Sequence, residues 1–394
     1  MGLQPTEHWE YKFIDIIRGL TAALGPERQR GMLYLDGLGS CIPARSARAA
    51  IVTAIKALEL RPGAGIGVPL YCCPVVFKAI KTAGCIARFI DIEPATFCMS
   101  AEDLFAKRSQ IDAVIAVHMF GNVCDMPRLQ EAAQGKPIIE DCAQSLGSKF
   151  GDNPAGSIGT IAIFSFRSGK YLSVGEGGAL FSNHEDVRAK LVQLISGFPV
   201  PRLSDEFVHV AKTYLRSKLR SKPLFGAVGY TLWSIYNKTV DYSAKSPIIL
   251  SQIYMSDFAI INDRQTFLDS VIKTHRANAD YYSHALRMDP SMLCSEKPGT
   301  FYNRYLYPIT LSSTEYRDAM AAYLFNKQVA SVSPYKDIAE VAAAHYGYEG
   351  DCPMAEQVAK RVLVIPNNYS LKMREIQRIA QCVNEGWAQI SSFD

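Results

Sequence analysis

The chain of 394 residues has no run of eighteen apolar residues, so a membrane-spanning helix is not expected. It has no basic, apolar leader: MGLQPTEHWEYKF places Glu7 and Glu10 early, and no secretory signal is expected. The Met-Gly start with Thr6 matches the outline of a myristoylation pattern, but Pro5 and Glu7 beside it speak against lipidation. There is no C-x-x-C pair among the ten cysteines, at 41, 72, 73, 85, 98, 124, 142, 294, 352 and 382, and no companion His spacing. A metal site is therefore not expected, and the thiols read as buried small hydrophobes in a reducing compartment. Charge of one sign is also missing. With 42 Lys plus Arg against 38 Asp plus Glu, the net charge of +4 excludes nucleic acid as the main partner. Repeats and low-complexity tracts are absent. At 48% apolar and 20% charged residues the chain is not disordered, and its length suits one large or two modest domains. The composition describes a soluble, cytoplasmic, globular protein and leaves its chemistry open.

What is present is alternation. From about residue 44, helical and strand patterns follow one another. Apolar residues at helical spacing (Ala47, Ala50, Ile51, Ala54, Ile55, Leu58) precede the short run IGVPL. VVFKAIKTAG predicts a helix closed by Gly84, then CIARFIDI a strand, AEDLFAKR a helix and AVIAVHMF a buried strand. PRLQEAAQG, PIIEDCAQ, GTIAIFSF and GGALFSN continue the series. Strands separated by helices indicate a layered α/β domain with a mainly parallel sheet. After about residue 195 the character changes. Lys212 to Lys238 holds six basic residues, no acid, and interleaved Tyr214, Leu215, Phe225, Tyr230, Leu232, Trp233 and Tyr236. Residues 256–286 read as about thirty helical residues, followed by RYLYPITL as strand, EYRDAMAAYLFNKQ as helix, VLVIP as strand and a closing helix from Met373.

Sheets of this kind bind ligands at the carboxyl ends of parallel strands, and three such loops carry notable residues. In IIEDCAQ an apolar strand ends in Glu140 and Asp141, and buried acids require partners. Asp141 reads equally as a helix cap. In IAIFSFRSGKYLSVGEGG, Ser165 and Lys170 follow a strand, and glycines permit close backbone approach. Lys170 is either a carbonyl-condensing amine or a solvated surface lysine. In ARSARAA the amides of a helix N-terminus favour a phosphate. Together the three loops outline a site for pyridoxal 5′-phosphate (PLP).

The stretch EDCAQSLGSKFGDNPAGSIGTIAIFSFRSGKYLSVGEGGALFSN resembles the DegT/DnrJ/EryC1/StrS family of PLP-dependent nucleotide-sugar aminotransferases. It shows the family's E-D-x-A-[QH], G-S-x-G, F-S-F-x-x-x-K and G-E-G-G motifs in order. AVHMFGNVCDMPRL, RFIDIEPATF and VLVIPNN are similar to further family segments. The resemblance implies PLP-dependent transferase fold type I. Residues 1–255 would form the large domain, on a mainly parallel mixed sheet of seven-stranded type, and 256–394 a smaller C-terminal α/β domain. A basic, aromatic insertion would occupy about 198–246. Lys170 matches the lysine that holds the cofactor aldehyde and shuttles a proton, and Asp141 the acid that keeps the pyridine nitrogen protonated. Gln144 matches the contact to the ring oxygen, Ser165 a phosphate contact, and Ser46, Ala47 and Arg48 the S-G-T turn of the phosphate cup.

This chain departs from the pattern at several positions. Ala47 and Arg48 replace Gly and Thr, and Arg48 either lends charge to the phosphate or stays in solvent. Cys73 stands where an aromatic stacks on the pyridine face; strand alternation argues against Tyr71 taking its place. The N-Y-R-M segment, whose Asn reaches the neighbouring subunit's phosphate, reads Gln252-Ile253-Tyr254-Met255. The resemblance implies a homodimer with glutamate as amino donor and a nucleotide-linked keto sugar as acceptor. Two alternatives remain: a PLP sugar dehydratase, which Lys170 speaks against because His stands there in those members, and a PLP-fold protein without transaminase activity. Residues 212–238 are either a peripheral membrane patch or a segment packed over the site or the dimer partner.

Overall fold

The computed structural model describes residues 3–25, 31–221, 224–232 and 247–392. One mixed sheet organises it. Its strands are β1 (Leu33–Leu35), β2 (Gly39–Ala44), β3 (Gly65–Pro69), β4 (Ile86–Ile90), β5 (Ala113–Val117), β6 (Ile138–Asp141), β7 (Ile161–Ser165) and β8 (Gly178–Phe181). The spatial order is β1-β2-β8-β7-β6-β5-β3-β4. Strands β3 to β7 are parallel, whereas β8 runs antiparallel to both β7 and β2. Eight strands rather than seven result because Leu33–Leu35 folds back on β2 as a hairpin arm. Both lie before residue 44, where the sequence pattern starts to be readable. The central strands β3 and β5 are buried along their whole length, which explains their continuous apolar runs.

Helices cover the faces. Ala47–Ala57 buries Ala50, Ile51, Ala54 and Ile55, in one core with Ile66, Ile115, Ile139 and Ile163 of the sheet. A second core joins Phe164, Phe166 and Ala179 to Trp9, Tyr11, Ile260, Ile261 and Ile272. A third gathers Tyr282, Met320, Leu324, Ile376 and Val383 around the antiparallel pair Tyr307–Thr310 and Val362–Ile365. The N-terminal segment straps these regions together: Gln4 bridges Val329, and Tyr11 N–H donates to Ser217 Oγ at 2.8 Å.

The long helix expected over 256–286 is broken. Met255–Arg264 and Leu268–Ala285 are separated by a tight turn at Gln265–Phe267, where Thr266 Oγ1 donates to the Asp263 carbonyl. Such a local hydroxyl bond competes with regular helix, and no Gly or Pro marks the break. In the basic segment, Leu203–Leu219 is a helix that turns Glu206, His209, Val210, Thr213 and Ser217 inward. Trp233, Tyr236 and Lys238 lie outside the described residues. Among the described residues no helix is long and apolar enough to cross a membrane. All ten cysteines are free thiols, and all but Cys73 are buried.

Candidate active site

The parallel strands β3, β5, β6 and β7 lie side by side, so their C-terminal loops open on one edge. Those loops carry Cys73, His118–Gly121, Asp141–Gln144 and Arg167–Lys170.

At one end of the edge is a cradle for an anion. Ser46 caps the Ala47–Ala57 helix, its Oγ accepting from Ala49 N–H at 3.3 Å. The Ala47 and Arg48 N–H groups belong to the first turn of that helix, ahead of its repeating backbone bonds. Ser46 bridges Gly177, and Ser165 pairs with Gly178, so the two hydroxyl residues flank one glycine step. A Cβ at Gly178 would lie 2.7 Å from Ala47 N, so only bare backbone lets the strand pass this close to the helix start. First-turn amides with serine hydroxyls beside them suit a phosphate. Arg48 is half-buried in the same turn and has no ion pair among the described residues.

Asp141, at the end of β6, is buried, and its Oδ1 accepts from Ala143 N–H at 3.0 Å. A turn rather than a helix follows it, so it is not a helix cap. Burial pushes its carboxyl upward, opposed by the Ala143 N–H and by the Lys170 charge. Lys170 is half-buried, with its Nζ 4.5 Å from the centre of the Tyr305 ring. Burial and the Arg167 charge bring its ammonium down to about 8, against the pull of Glu7 and Asp141. A lysine so depressed has a substantial neutral fraction near neutrality, which nucleophilic attack on an aldehyde requires. Gln144 Oε1 accepts from Phe120 N–H at 3.1 Å, and its amide nitrogen lies 3.4 Å from Met119 Sδ. Phe120 adopts φ 58°, a left-handed conformation unfavourable for its type, to present that N–H. Cys73 immediately precedes the Pro74–Thr82 helix and is half-buried, within electrostatic reach of Lys170. Tyr71 stays in the core, its hydroxyl donating to the Pro334 carbonyl at 3.1 Å and its ring against Phe97, Phe120 and Tyr335.

Glu140 solves a separate problem. It points away from its neighbour Asp141 and is fully enclosed. Its oxygens accept from the N–H groups of Gly156, Ile158 and Gly159 and face His118 Nε2 at 2.9 Å. His118 Nδ1 accepts from Cys124 N–H, so Nε2 carries the proton donated to Glu140. His118, Glu140 and Cys142 come within mutual reach of a metal ion. The histidine and glutamate lone pairs there are already spent on protein hydrogen bonds, which makes the group a structural anchor for the loop beside Asp141.

Several groups at the site have no sequence signal. Tyr305 donates to the Gly169 carbonyl at 2.9 Å and underlies Lys170. Asn303 Nδ2 donates to the Gln144 and Leu146 carbonyls and holds that loop. Glu7 arrives from the N-terminal strap against Gly169, 3.8 Å from Arg220. Gln252 is not brought to this cavity within the chain; its amide donates to the Ser196 and Phe198 carbonyls. Tyr254, where the family segment has Arg, stacks on His209 and lies 3.9 Å under the Arg45 guanidinium, which pairs with Glu176. A guanidinium thus reaches this spot from β2's end instead of from residue 254.

The residues present fit PLP. The amide-and-hydroxyl cradle suits the phosphate, the buried Asp141 needs a cation, and Lys170 supplies a depressed amine on the same edge. Fold and site together define a PLP-dependent transferase of fold type I.

Comparison with known proteins narrows the class. The model of the DegT/DnrJ/EryC1/StrS aminotransferase family matches residues 32–222 and 251–384. The chain belongs to that family. It is 27% identical over 388 residues to UDP-N-acetyl-3-dehydro-alpha-D-glucosamine 3-aminotransferase of Acidithiobacillus ferrooxidans, covering 94% of this chain and 91% of the relative. It is 31% identical over 175 residues to L-glutamine:scyllo-inosose aminotransferase of Streptomyces griseus, covering 43% of this chain and 41% of that one. Spr1654 of Streptococcus pneumoniae, solved in its PMP form, superposes with TM-score 0.75 at 18% identity over 99% of each chain. Residues 223–250, within the basic segment, are left unmatched by the family model.

Proposed function

We propose that this enzyme is a PLP-dependent aminotransferase that moves an amino group from an amino acid, glutamate, to a nucleotide-linked keto sugar. The product would serve surface-polysaccharide or secondary-metabolite sugar biosynthesis. The observation that carries this reading is the placement of Asp141 and Lys170 at the C-terminal ends of the neighbouring parallel strands β6 and β7. The nearly full-length relative named for a UDP-linked keto sugar supports the acceptor class. The inosose relative makes glutamine the competing donor.

In the mechanism, PLP supplies when bound an aldehyde for the amino group and a ring that withdraws electrons. This chain's residues do the rest. Ser46, Ser165 and the Ala47 and Arg48 amides hold the phosphate. Asp141 keeps a negative charge against the pyridine nitrogen, and burial strengthens that pairing. Gln144 lies beside it, oriented by Phe120 N–H. Lys170 Nζ would hold the cofactor aldehyde and, as a free amine, take up the proton at the donor's α-carbon, with Tyr305 fixing its loop. Cys73 borders the ring site in place of an aromatic. For the assembly, a homodimer is the reading: exposed Phe13, Ile14 and Ile17 on one helix supply an apolar face for a second copy, in which Gln252 would reach the partner's phosphate.

Purified holoenzyme mixed with L-glutamate should bleach its visible cofactor band and release 2-oxoglutarate, and a nucleotide keto sugar should restore the band. No spectral change with glutamate or glutamine would favour a PLP-fold protein without transaminase activity. The membrane reading of 212–238 rests on exposed Leu215, Leu224, Val228 and Leu232 beside basic residues, and liposome co-sedimentation decides it.

A further inference from the structure

One further guanidinium stands on the Lys170 edge. Arg167 lies two residues beyond Ser165, and its carbonyl accepts from Lys170 N–H at 2.9 Å, so the two cations share one tight turn. Its side chain is exposed and forms no ion pair among the described residues. The groups acting on it come from three regions: Glu7 on the strap, Cys73 after β3, and Tyr305 and Tyr335 from the C-terminal part. Arg220, at the end of the Leu203–Leu219 helix, adds a second guanidinium beside Glu7. Arg167, Lys170 and Arg220 thus share the neighbourhood of Glu7, with Asp141 also acting on Lys170; among the described residues Arg220 pairs with Glu7, whereas Arg167 has no ion pair.

We propose that Arg167 binds the α-carboxylate of the amino donor. The inference rests on the aminotransferase reading and adds how the donor is held. A planar guanidinium matches a carboxylate through two parallel N–H bonds, which a lysine does not reproduce. Position argues for the donor over the acceptor. In an amino acid the carboxylate is bonded directly to the carbon that must reach Lys170, and Arg167 stands within one turn of that lysine. In a nucleotide-linked sugar the diphosphate is separated from the reacting ketone by the sugar ring. Glu7 acts on both guanidiniums but forms its ion pair with Arg220, at 3.8 Å, and among the described residues none with Arg167.

The test compares wild type, Arg167→Gln and Arg167→Lys as holoenzymes. Glutarate, an unreactive dicarboxylate, is titrated by calorimetry, and each half-reaction is followed separately with L-glutamate, L-glutamine and the keto sugar. Arg167→Gln should weaken glutarate binding and raise the half-saturating amino-acid concentration by about 10- to 100-fold. PLP content and half-saturation by the sugar should stay unchanged, and Arg167→Lys should fall between. Unaltered glutarate binding and amino-acid saturation would overturn the proposal. So would a loss confined to the sugar half-reaction, or a loss of PLP. If wild type transfers no amino group from either amino acid, the aminotransferase reading fails, and glutarate binding still decides whether Arg167 is a carboxylate site.

Discussion

Replacing Glu140 by Gln removes one charge while nearly preserving size, and the structure fixes what that costs. Ile158 and Gly159 N–H share Oε1, whereas Gly156 N–H and His118 Nε2 share Oε2. A glutamine serves one oxygen's donors with its carbonyl and turns an NH2 group toward the other pair. His118 gains nothing by switching tautomer, because Nδ1 would then turn a proton toward Cys124 N–H. Two buried, charge-assisted bonds are lost at about 1.5–3 kcal/mol each, so Glu140→Gln should destabilise by about 3–6 kcal/mol. Urea unfolding followed by fluorescence measures this, with the m-value as a check on two-state behaviour. The effect also has a pH signature. Burial raises the Glu140 carboxyl, but the His118 hydrogen bond and the Gly159 and Gly156 N–H groups more than offset it, leaving a net lowered pKa. The stabilisation is then full above the unfolded value of about 4.3 and is lost as pH falls through the lower folded value. The gap between wild type and variant should close in acid. A difference below about 1 kcal/mol at pH 7, or one independent of pH, would refute the assignment.

Gly121→Ala should cost about 3 kcal/mol and weaken PLP retention, because φ is +95° and the new Cβ would sit 2.0 Å from Asn303 Oδ1, on the residue that holds the Gln144 loop. Urea midpoints and cofactor content check it, and wild-type values would contradict it. Lys170→Met should stabilise the apoenzyme by about 1–2 kcal/mol at pH 7. The folded pKa of about 8 lies below the unfolded value, so wild-type apoenzyme gains stability as pH rises from about 8 to 10 and the variant does not. Thermal midpoints against pH test this, and parallel profiles would exclude it. Asp141→Asn should lower kcat at least about 100-fold with the protein still folded, since the compensating charge at the pyridine nitrogen is gone. Single-turnover kinetics with circular dichroism measure both, and unchanged turnover would remove Asp141 from the site.

Much of this was legible because the sheet is layered and its strands are buried on both faces. The runs IGVPL, AVIAVHMF and IAIFSF each hold a strand of the sheet, and the motif residues Asp141, Gln144, Lys170 and Ser165 follow from strand ends. The Leu203–Leu219 helix was not legible as a packed element, and the reason is physical. Its inward stripe carries Glu206, His209, Thr213 and Ser217. Glu206 accepts from Met255 and Ser256 N–H, capping the next helix, and His209 lies 2.9 Å from Asp257. A helix buried through polar contacts shows no apolar periodicity. Glu7, Asn303 and Tyr305 were hidden for another reason: each meets the site across more than one hundred residues of chain, as Tyr305 does at Gly169. Arg45 was equally silent, and only its stacking on Tyr254 shows how the chain places a guanidinium there without an arginine at 254.

PLP is expected to be carried by Lys170. Borohydride reduction of the holoenzyme, digestion and mass spectrometry test it directly, with Lys170→Ala as the paired sample. The pyridoxyl phosphate mass should appear on the peptide containing Lys170 and on no other, and should vanish in the variant together with the visible absorbance band. A label on a different lysine, or an unchanged spectrum in Lys170→Ala, would contradict the account.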